Sequence, residues 1–505
     1  MGIFKKLTPL GRLTLIILAV GAIAFTAWKL NDSGKLNLTS IGGDPYDATV
    51  IVDTYTGWAP IVWGNGGKDG SKDSYFYKNF GVRLRILNMD DFDASRQAWK
   101  QDPKALAFCT LDSYPVEASS SGTMTDARYF VIHNFSAGAD AIVVTKNINT
   151  VADLKGKKIA FSEGTASHSL LLNTLEAAGL DGTEVTQVKT GYGSDVATAF
   201  KAKQVDAAVV FTPDDEACID AVPGTKVLVS TKQINTLVTD GFLAHKEWLD
   251  KNPEKAKKII EALLWANSEI TFNESSYNEA CKVFSNEFDV PIEDVVATGQ
   301  KINFATLQDN INWFGLNPDY KGVKAEGLYT KMSQTYANLG LAKNTLTWNK
   351  ISYWTYVDEL SQKNDLTNTQ TAVGTKERSF TAATAAIKTA PALSNKKVII
   401  EFPVNGYTLD ATAQDIIDKE FLNIVKQFNN VYVRIEGNTD NTGNYNYNVE
   451  LSKKRAQSVV DYLVRCGMDS SRFIVVGNGP KNAIKDGVSG SAQAYRTTDL
   501  QLIAE

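Results

Sequence analysis

Two short stretches hold residue types suited to recognition chemistry. The first is GNTDNTGNYNYNVELSKKR, residues 437–455. It follows VYVRIEG, whose alternation predicts a half-buried strand, and runs into a helix with Ala456, Val459, Val460 and Leu463 on one face. Asp440 then stands at a strand-end turn, and Arg455 one turn into the next helix. Across so short a loop, a carboxylate and a planar guanidinium can converge on one zwitterion. Thr439, Asn441 and Asn448 add neutral hydrogen-bonding groups, and Asn448 also suits a helix cap. The plain alternative is a surface Asp440–Arg455 ion pair, which would contribute little. The second stretch is SEGTASH, residues 162–168, between a strand ending at Phe161 and a helix with Leu171, Leu172 and Leu175 on one side and Gly179 as its stop. Backbone N–H groups and the Thr165 and Ser167 hydroxyls gather there at a helix N-terminus, which suits an anion or a polar oxygen. Such caps occur at most helices, so this signal is weak by itself.

The elements that must position these residues form a regular series. TVIVD, RLRIL, ALAFC, RYFVI, AIVVT, KKIAF, DAAVVF and TKVLVS alternate with helical stretches, which predicts an α/β architecture of largely parallel sheets in two lobes over residues 48–345. Residues 253–343 become mainly helical. Residues 346–395, rich in Thr, Asn and Ala, read as a linker with one helix. From Lys396 to the end, strand, helix, strand, helix and strand predict a small βαβαβ α/β sandwich, helices on one face of a mixed sheet. The 505-residue length fits two or three domains.

The first thirty residues differ from the rest. Lys5, Lys6 and Arg12 precede the chargeless run Leu13 to Trp28, the beginning of an export signal or a membrane anchor. The lack of a polar stretch before Ala22-Ile23-Ala24, and the interfacial position of Trp28, favour a retained transmembrane helix over residues 1–30, with 31–47 as spacer. This orientation puts the bulk outside the cytoplasm.

Several function classes find no support. The net charge of -5, without a long basic run, gives no footprint for nucleic acid. Four widely spaced Cys and three His give neither a zinc pattern nor a redox pair. No nucleophile elbow, P-loop or HExxH is present, and no acidic pair is spaced for acid–base work. The reading is therefore a non-enzyme without cofactor or metal.

In order along the chain, VIVDTYTGWAP, AFCTLDSYP, VADLKGKKIAFSEGTASH, VDAAVVFTPDDEA and TLQDNINWFGL resemble the periplasmic substrate-binding proteins of ABC transporters, in the sulfonate/nitrate/taurine-type branch. The resemblance implies a hinged cleft that closes on a small molecule, with an ABC permease as partner. Its walls would be Thr54, Thr56, Gly57 and Trp58; Thr110, Asp112 and Ser113; Ser162, Gly164, Thr165, Ser167 and His168; and Thr212, Pro213 and Asp214. Trp58 would stack on an organic ligand or simply pack, and His168 would donate to an anion or cap its helix. Asp112, Asp214, Asp215 and Glu216 lie near these loops and no Arg does, so a cationic or zwitterionic ligand stays open beside an anion.

GNTDNTG, Asn448, LSKKRAQSVVDYLVRCG and RFIVVGNG resemble the OmpA-like peptidoglycan-binding domain over residues 396–505. That resemblance implies that Asp440 faces the ammonium and Arg455 the carboxylate of a diaminopimelate residue in the cell-wall peptide. The family's paired Arg is reduced here to Arg496 followed by Thr497. The combined expectation is an inner-membrane-anchored protein of the Gram-negative-type periplasm that binds a solute and grips peptidoglycan. The competing expectation is a stator-like or structural scaffold with a degenerate cleft; the N-terminal run lacks the acidic residue that ion passage requires.

Overall fold

The computed structural model describes residues 44–120, 122–191, 193–363 and 371–504. The expected membrane helix lies outside these residues. Among the described residues, no helix is long and apolar enough to cross a membrane.

The first sheet has six strands: β1 (Ala48–Val52), β2 (Leu84–Asn88), β3 (Ala105–Thr110) and β4 (Ala127–Ser136), with β10 (Thr239–His245) and β11 (Ile302–Phe304), in the order β11-β4-β10-β3-β1-β2. The second has five: β5 (Asp140–Val144), β6 (Lys158–Ser162), β7 (Thr186–Thr190), β8 (Ala207–Phe211) and β9 (Lys226–Ser230), in the order β7-β6-β8-β5-β9. The chain crosses between them twice, after β4 and after β9, so the first lobe is built from two separated segments and the second from the continuous segment between them.

These crossings correct the expectation of largely parallel sheets. β1 pairs parallel with β2 and β3, but β10 runs antiparallel to both β3 and β4. In the second lobe β6 is parallel to β7 and β8, while β5 is antiparallel to β8 and β9. A strand that enters a lobe from its neighbour arrives without a crossover helix and needs no parallel partner. β3, β5 and β8 are apolar almost throughout and buried on both faces.

Residues 346–395 hold more structure than a linker with one helix. Short helices Trp348–Ile351 and Thr355–Ser361 bury Trp348, Ile351, Tyr356, Val357 and Leu360. Further on, Val373 and Thr375 donate backbone N–H bonds to the buried Asp309 carboxylate, at 3.0 and 2.7 Å. The C-terminal sheet has the order β12-β15-β13-β14, with β12 (Ser394–Val398), β13 (Tyr432–Asn438), β14 (Phe473–Gly479) and β15 (Thr498–Ile503). β15 is the fourth strand that the βαβαβ reading lacked. It lies antiparallel between β12 and β13, buried along its length. Its sequence TDLQLI mixes polar and apolar residues, which hides a central strand from pattern reading.

Candidate functional site

Loops at the C-terminal ends of β1, β3, β6 and β8, from both lobes, border one cavity of about 650 Å³. Ligand sites in open α/β sheets lie at such strand ends. Of the residues expected there, Thr54, Trp58, Thr110, Ser113, Ser162, Gly164, Thr165 and Ser167 line it. Gly164 makes the turn from β6 into the helix Ala166–Glu176 with φ +74°, a conformation that glycine takes without strain.

Few of these groups keep a free donor. Ser162 Oγ donates to the Gly191 carbonyl at 2.7 Å, Thr165 Oγ1 to that of Ser162 at 2.9 Å, and Ser167 Oγ to that of Val209 at 2.8 Å. Thr110 and Ser113 share a hydrogen bond of 2.5 Å. Thr54 donates its N–H and its hydroxyl to Asp90, at 2.6 and 2.9 Å. The Trp58 ring is buried, stacks on His133, and donates Nε1–H to Asp53 at 2.7 Å.

The remaining expected residues do not line the cavity. Thr56 and Gly57 are buried in the 3-10 turn Thr56–Trp58. Asp112 is fully buried, and burial pushes its carboxyl up to about 7. His168 is buried against Phe161 and accepts from the Gly164 N–H at 3.3 Å; burial lowers its imidazole to about 4, so it is neutral and no cation for an anion. Thr212 receives the Lys301 ammonium at 2.9 Å, and Asp215 and Glu216 pair with the same lysine. Pro213 and Asp214 open the helix Asp214–Ala221 on that side.

The sequence reading missed most of the charge in this cavity. Asp53, Asp90, Asp93, Glu117, Asp140, Glu163 and Asp240 line it, with Arg96 as the one Lys or Arg in the lining among the described residues. Arg96 grips Glu117 in a two-pronged pair, 2.6 and 2.8 Å. Burial, opposed by the Trp58 bond, raises the Asp53 carboxyl to about 6. Burial likewise raises Asp140 to about 6, and burial with the charges of Asp53, Asp140 and Asp112 raises Asp240 well above the usual range. Tyr55, Trp58, Phe92, Phe108 and Phe211 supply aromatic surface. Asp53 was legible as the last residue of VIVD, one step from the expected loop. Asp140 and Asp240 follow the two crossovers and carry no local signal.

In the C-terminal domain, Gly437 on β13 sets the distance between sheet and helix Tyr445–Arg465: a Cβ there would lie 2.1 Å from the Ser452 carbonyl oxygen. Asp440 is buried beyond the end of β13. Its Oδ2 accepts from Arg496 Nη2 at 2.6 Å and Nε at 2.7 Å, and its Oδ1 from the Thr442 hydroxyl at 2.5 Å. Burial works to raise this carboxyl, but the Thr442, Arg496 and Ala492 donors outweigh it and hold the group below its ordinary value. Arg455 donates to the carbonyls of Gly406 and Pro403 and stacks over Phe402. Burial, then the positive charge of Arg496, lowers its guanidinium. Asp440 thus pairs with Arg496, and Arg455 stands near enough to feel both. Thr439 Oγ1 donates to the Asp440 carbonyl, and Asn441 Nδ2 to that of Val488. Asn448 is not the helix cap: Asn444 is, accepting from the Tyr447 N–H at 3.0 Å, whereas Asn448 lies inside the helix and ties back to the Thr442 carbonyl.

Residues 72–271 match the NMT1/THI5-like family model, and residues 401–497 match the OmpA family model. The NMT1/THI5-like segment falls within the two lobes; the OmpA segment contains Asp440, Arg455 and Arg496. A protein of Escherichia coli (strain K12) named for aliphatic sulfonate binding is 34% identical over 147 residues, 28% of this chain and 44% of that one. Outer membrane protein A of Serratia marcescens is 34% identical over 103 residues, 20% of this chain and 28% of that one. The chain thus spans less than half the length of these curated relatives. Among solved structures, the periplasmic aliphatic sulphonate binding protein of Escherichia coli aligns at 18% identity and TM-score 0.49, over 61% of this chain and 91% of that one. The periplasmic nitrate-binding protein of Synechocystis PCC 6803 aligns at 16% identity and TM-score 0.48, over 64% and 91%.

Proposed function

We propose that the chain is a non-enzymatic receptor of the bacterial cell envelope that binds a small solute between its lobes and is held to peptidoglycan by its C-terminal domain. The observation that carries this reading is the pairing, in one chain, of a cavity at facing strand ends with the Asp440–Arg496–Arg455 cluster of an OmpA-type segment. The likeness to proteins named for solute binding supports a binding role over catalysis. The open cavity of about 650 Å³ supports it over a collapsed, purely structural cleft.

In the cell wall, the zwitterionic centre of diaminopimelate has the charge pattern this cluster complements. Its ammonium faces Asp440, and its carboxylate lies between Arg455 and Arg496. Thr439, Asn441 and Asn448 hold the turn in shape. The N-terminal apolar run serves as inner-membrane anchor, with the bulk in the periplasm. Fixing the chain at both ends suits a stationary receptor that delivers its solute to an ABC permease or signals its presence.

Co-sedimentation with purified sacculi that contain diaminopimelate tests the tether. Wild-type chain is expected in the pellet, with Asp440→Ala and Arg455→Ala each shifted at least tenfold toward the supernatant. Equal pelleting of both variants and wild type would remove the proposal.

A further inference from the structure

The ligand class follows from what the cavity offers and what it has already spent. We propose that the cleft takes an organic cation, a protonated amine, guanidine or amidine on an apolar body, with its nitrogen seated against Asp53, Asp140 and Asp240. This rests on the solute-receptor reading and names the solute's chemistry.

Charge is the first argument. Seven carboxylates line the cavity against one guanidinium, and that guanidinium is bound two-pronged to Glu117. Glu163 has its own partner in Lys189, at 2.5 Å. Among the described residues, no Lys or Arg forms an ion pair with Asp53, Asp140 or Asp240. Asp240 lines the cavity while only 5% exposed, beside the buried amide of Asn134 on β4. Buried carboxyls without a cation are held toward their neutral form at a cost, and an arriving cation lets them ionise.

The second argument is the lack of groups for an anion. The Ser162, Thr165 and Ser167 hydroxyls donate to backbone carbonyls, Thr110 and Ser113 share one hydrogen bond while Ser113 also reaches the Thr110 carbonyl, and the Gly164 N–H donates to His168. An entering sulfonate or nitrate would meet a negative field and few unspent donors. The third argument is the wall: Tyr55, Trp58, Phe92, Phe108 and Phe211 give the apolar and aromatic surface on which a cation with a hydrocarbon body gains both burial and cation–π attraction.

Calorimetry and thermal shift on the full chain, with agmatine, choline and spermidine against ethanesulfonate, nitrate and phosphate, test this. At least one cation is expected to bind saturably. Asp240→Asn and Asp53→Asn are expected to weaken it at least tenfold while keeping a cooperative melt, and Asp214→Asn, outside the cavity, to leave it unchanged. Binding of an anion but no cation would overturn the ligand class and leave the receptor reading standing. Cation binding indifferent to both cleft variants would also overturn it. No binding by any of the six compounds would take the receptor reading down with it.

Discussion

Asp240 sits at the start of β10, among carboxylates that burial and mutual repulsion hold in the protonated form more strongly than an unfolded chain would. A carboxyl whose folded value is raised contributes stability at low pH that is lost as pH climbs through that value. Asp53 and Asp140, both raised to about 6, lose theirs between the ordinary carboxylate range near 4 and about 6. The buried His133 and His168, lowered to about 3 and about 4, work in the opposite sense, destabilising as pH falls below the ordinary imidazole range. The bulk pH profile therefore mixes both, and a variant separates them. Asp240→Asn is expected to raise the melting temperature of the ligand-free chain at pH 7.5 by about 2–4 °C, as roughly 1 kcal/mol does in a large domain. The gain should shrink toward pH 5; differential scanning calorimetry at both pH values checks it. A variant equal to or less stable than wild type at pH 7.5 would mean that the carboxylates are compensated in the free protein.

Among elements, the helix Tyr445–Arg465 decides whether the C-terminal cluster exists. Gly437 and Gly477 let it lie against β13 and β14, since a Cβ on either would approach a helix carbonyl to 2.1 or 2.5 Å. Gly437→Ala must push the helix away, so a loss of several degrees in melting temperature is expected, with loss of pelleting on sacculi although Asp440 and Arg455 are intact. Much of this level was readable beforehand. Apolar runs marked β1 to β6, β8 and β9: most of these are buried on both faces and keep little but Val, Ile, Ala, Leu and Phe, whereas β2 turns only alternate residues inward. β7, TQVKT, is half-exposed and polar, and β10 and β15 mix Asp, Thr and Gln among their apolar residues, so no period singled them out. The site divided in the same way. Loops that follow a strand were found by position, whereas Asp140 and Asp240 reach the cavity only through the two crossovers, which are a property of the tertiary fold.

For the whole molecule, the C-terminal domain packs on the binding lobes. Asn429 Nδ2 donates to Asn235 Oδ1 at 2.7 Å, and Asn430 Nδ2 to the Lys232 carbonyl at 2.9 Å, both on the second crossover. Lys331 links Asn173 and Glu176 of the lobes to Gln427. The strap at residues 373–375 closes on Asp309, which is fully buried and accepts from Thr306, Val373 and Thr375 together. Asp309→Ala leaves these donors unsatisfied, a cost of roughly 3 kcal/mol or more. Hydrogen exchange is expected to show lost protection at Val373 and Thr375 first; unchanged exchange there would mean that the strap is held by other contacts.

The account as a whole claims that one chain holds a solute and the cell wall at the same time. The direct measurement is mass spectrometry of small molecules released by denaturing protein recovered on sacculi. About one nitrogen-bearing cationic compound per chain is expected, absent from Asp240→Asn protein pelleted in equal amount. Pelleted wild-type protein that releases nothing, or protein that holds its solute only when free of the wall, would contradict the account.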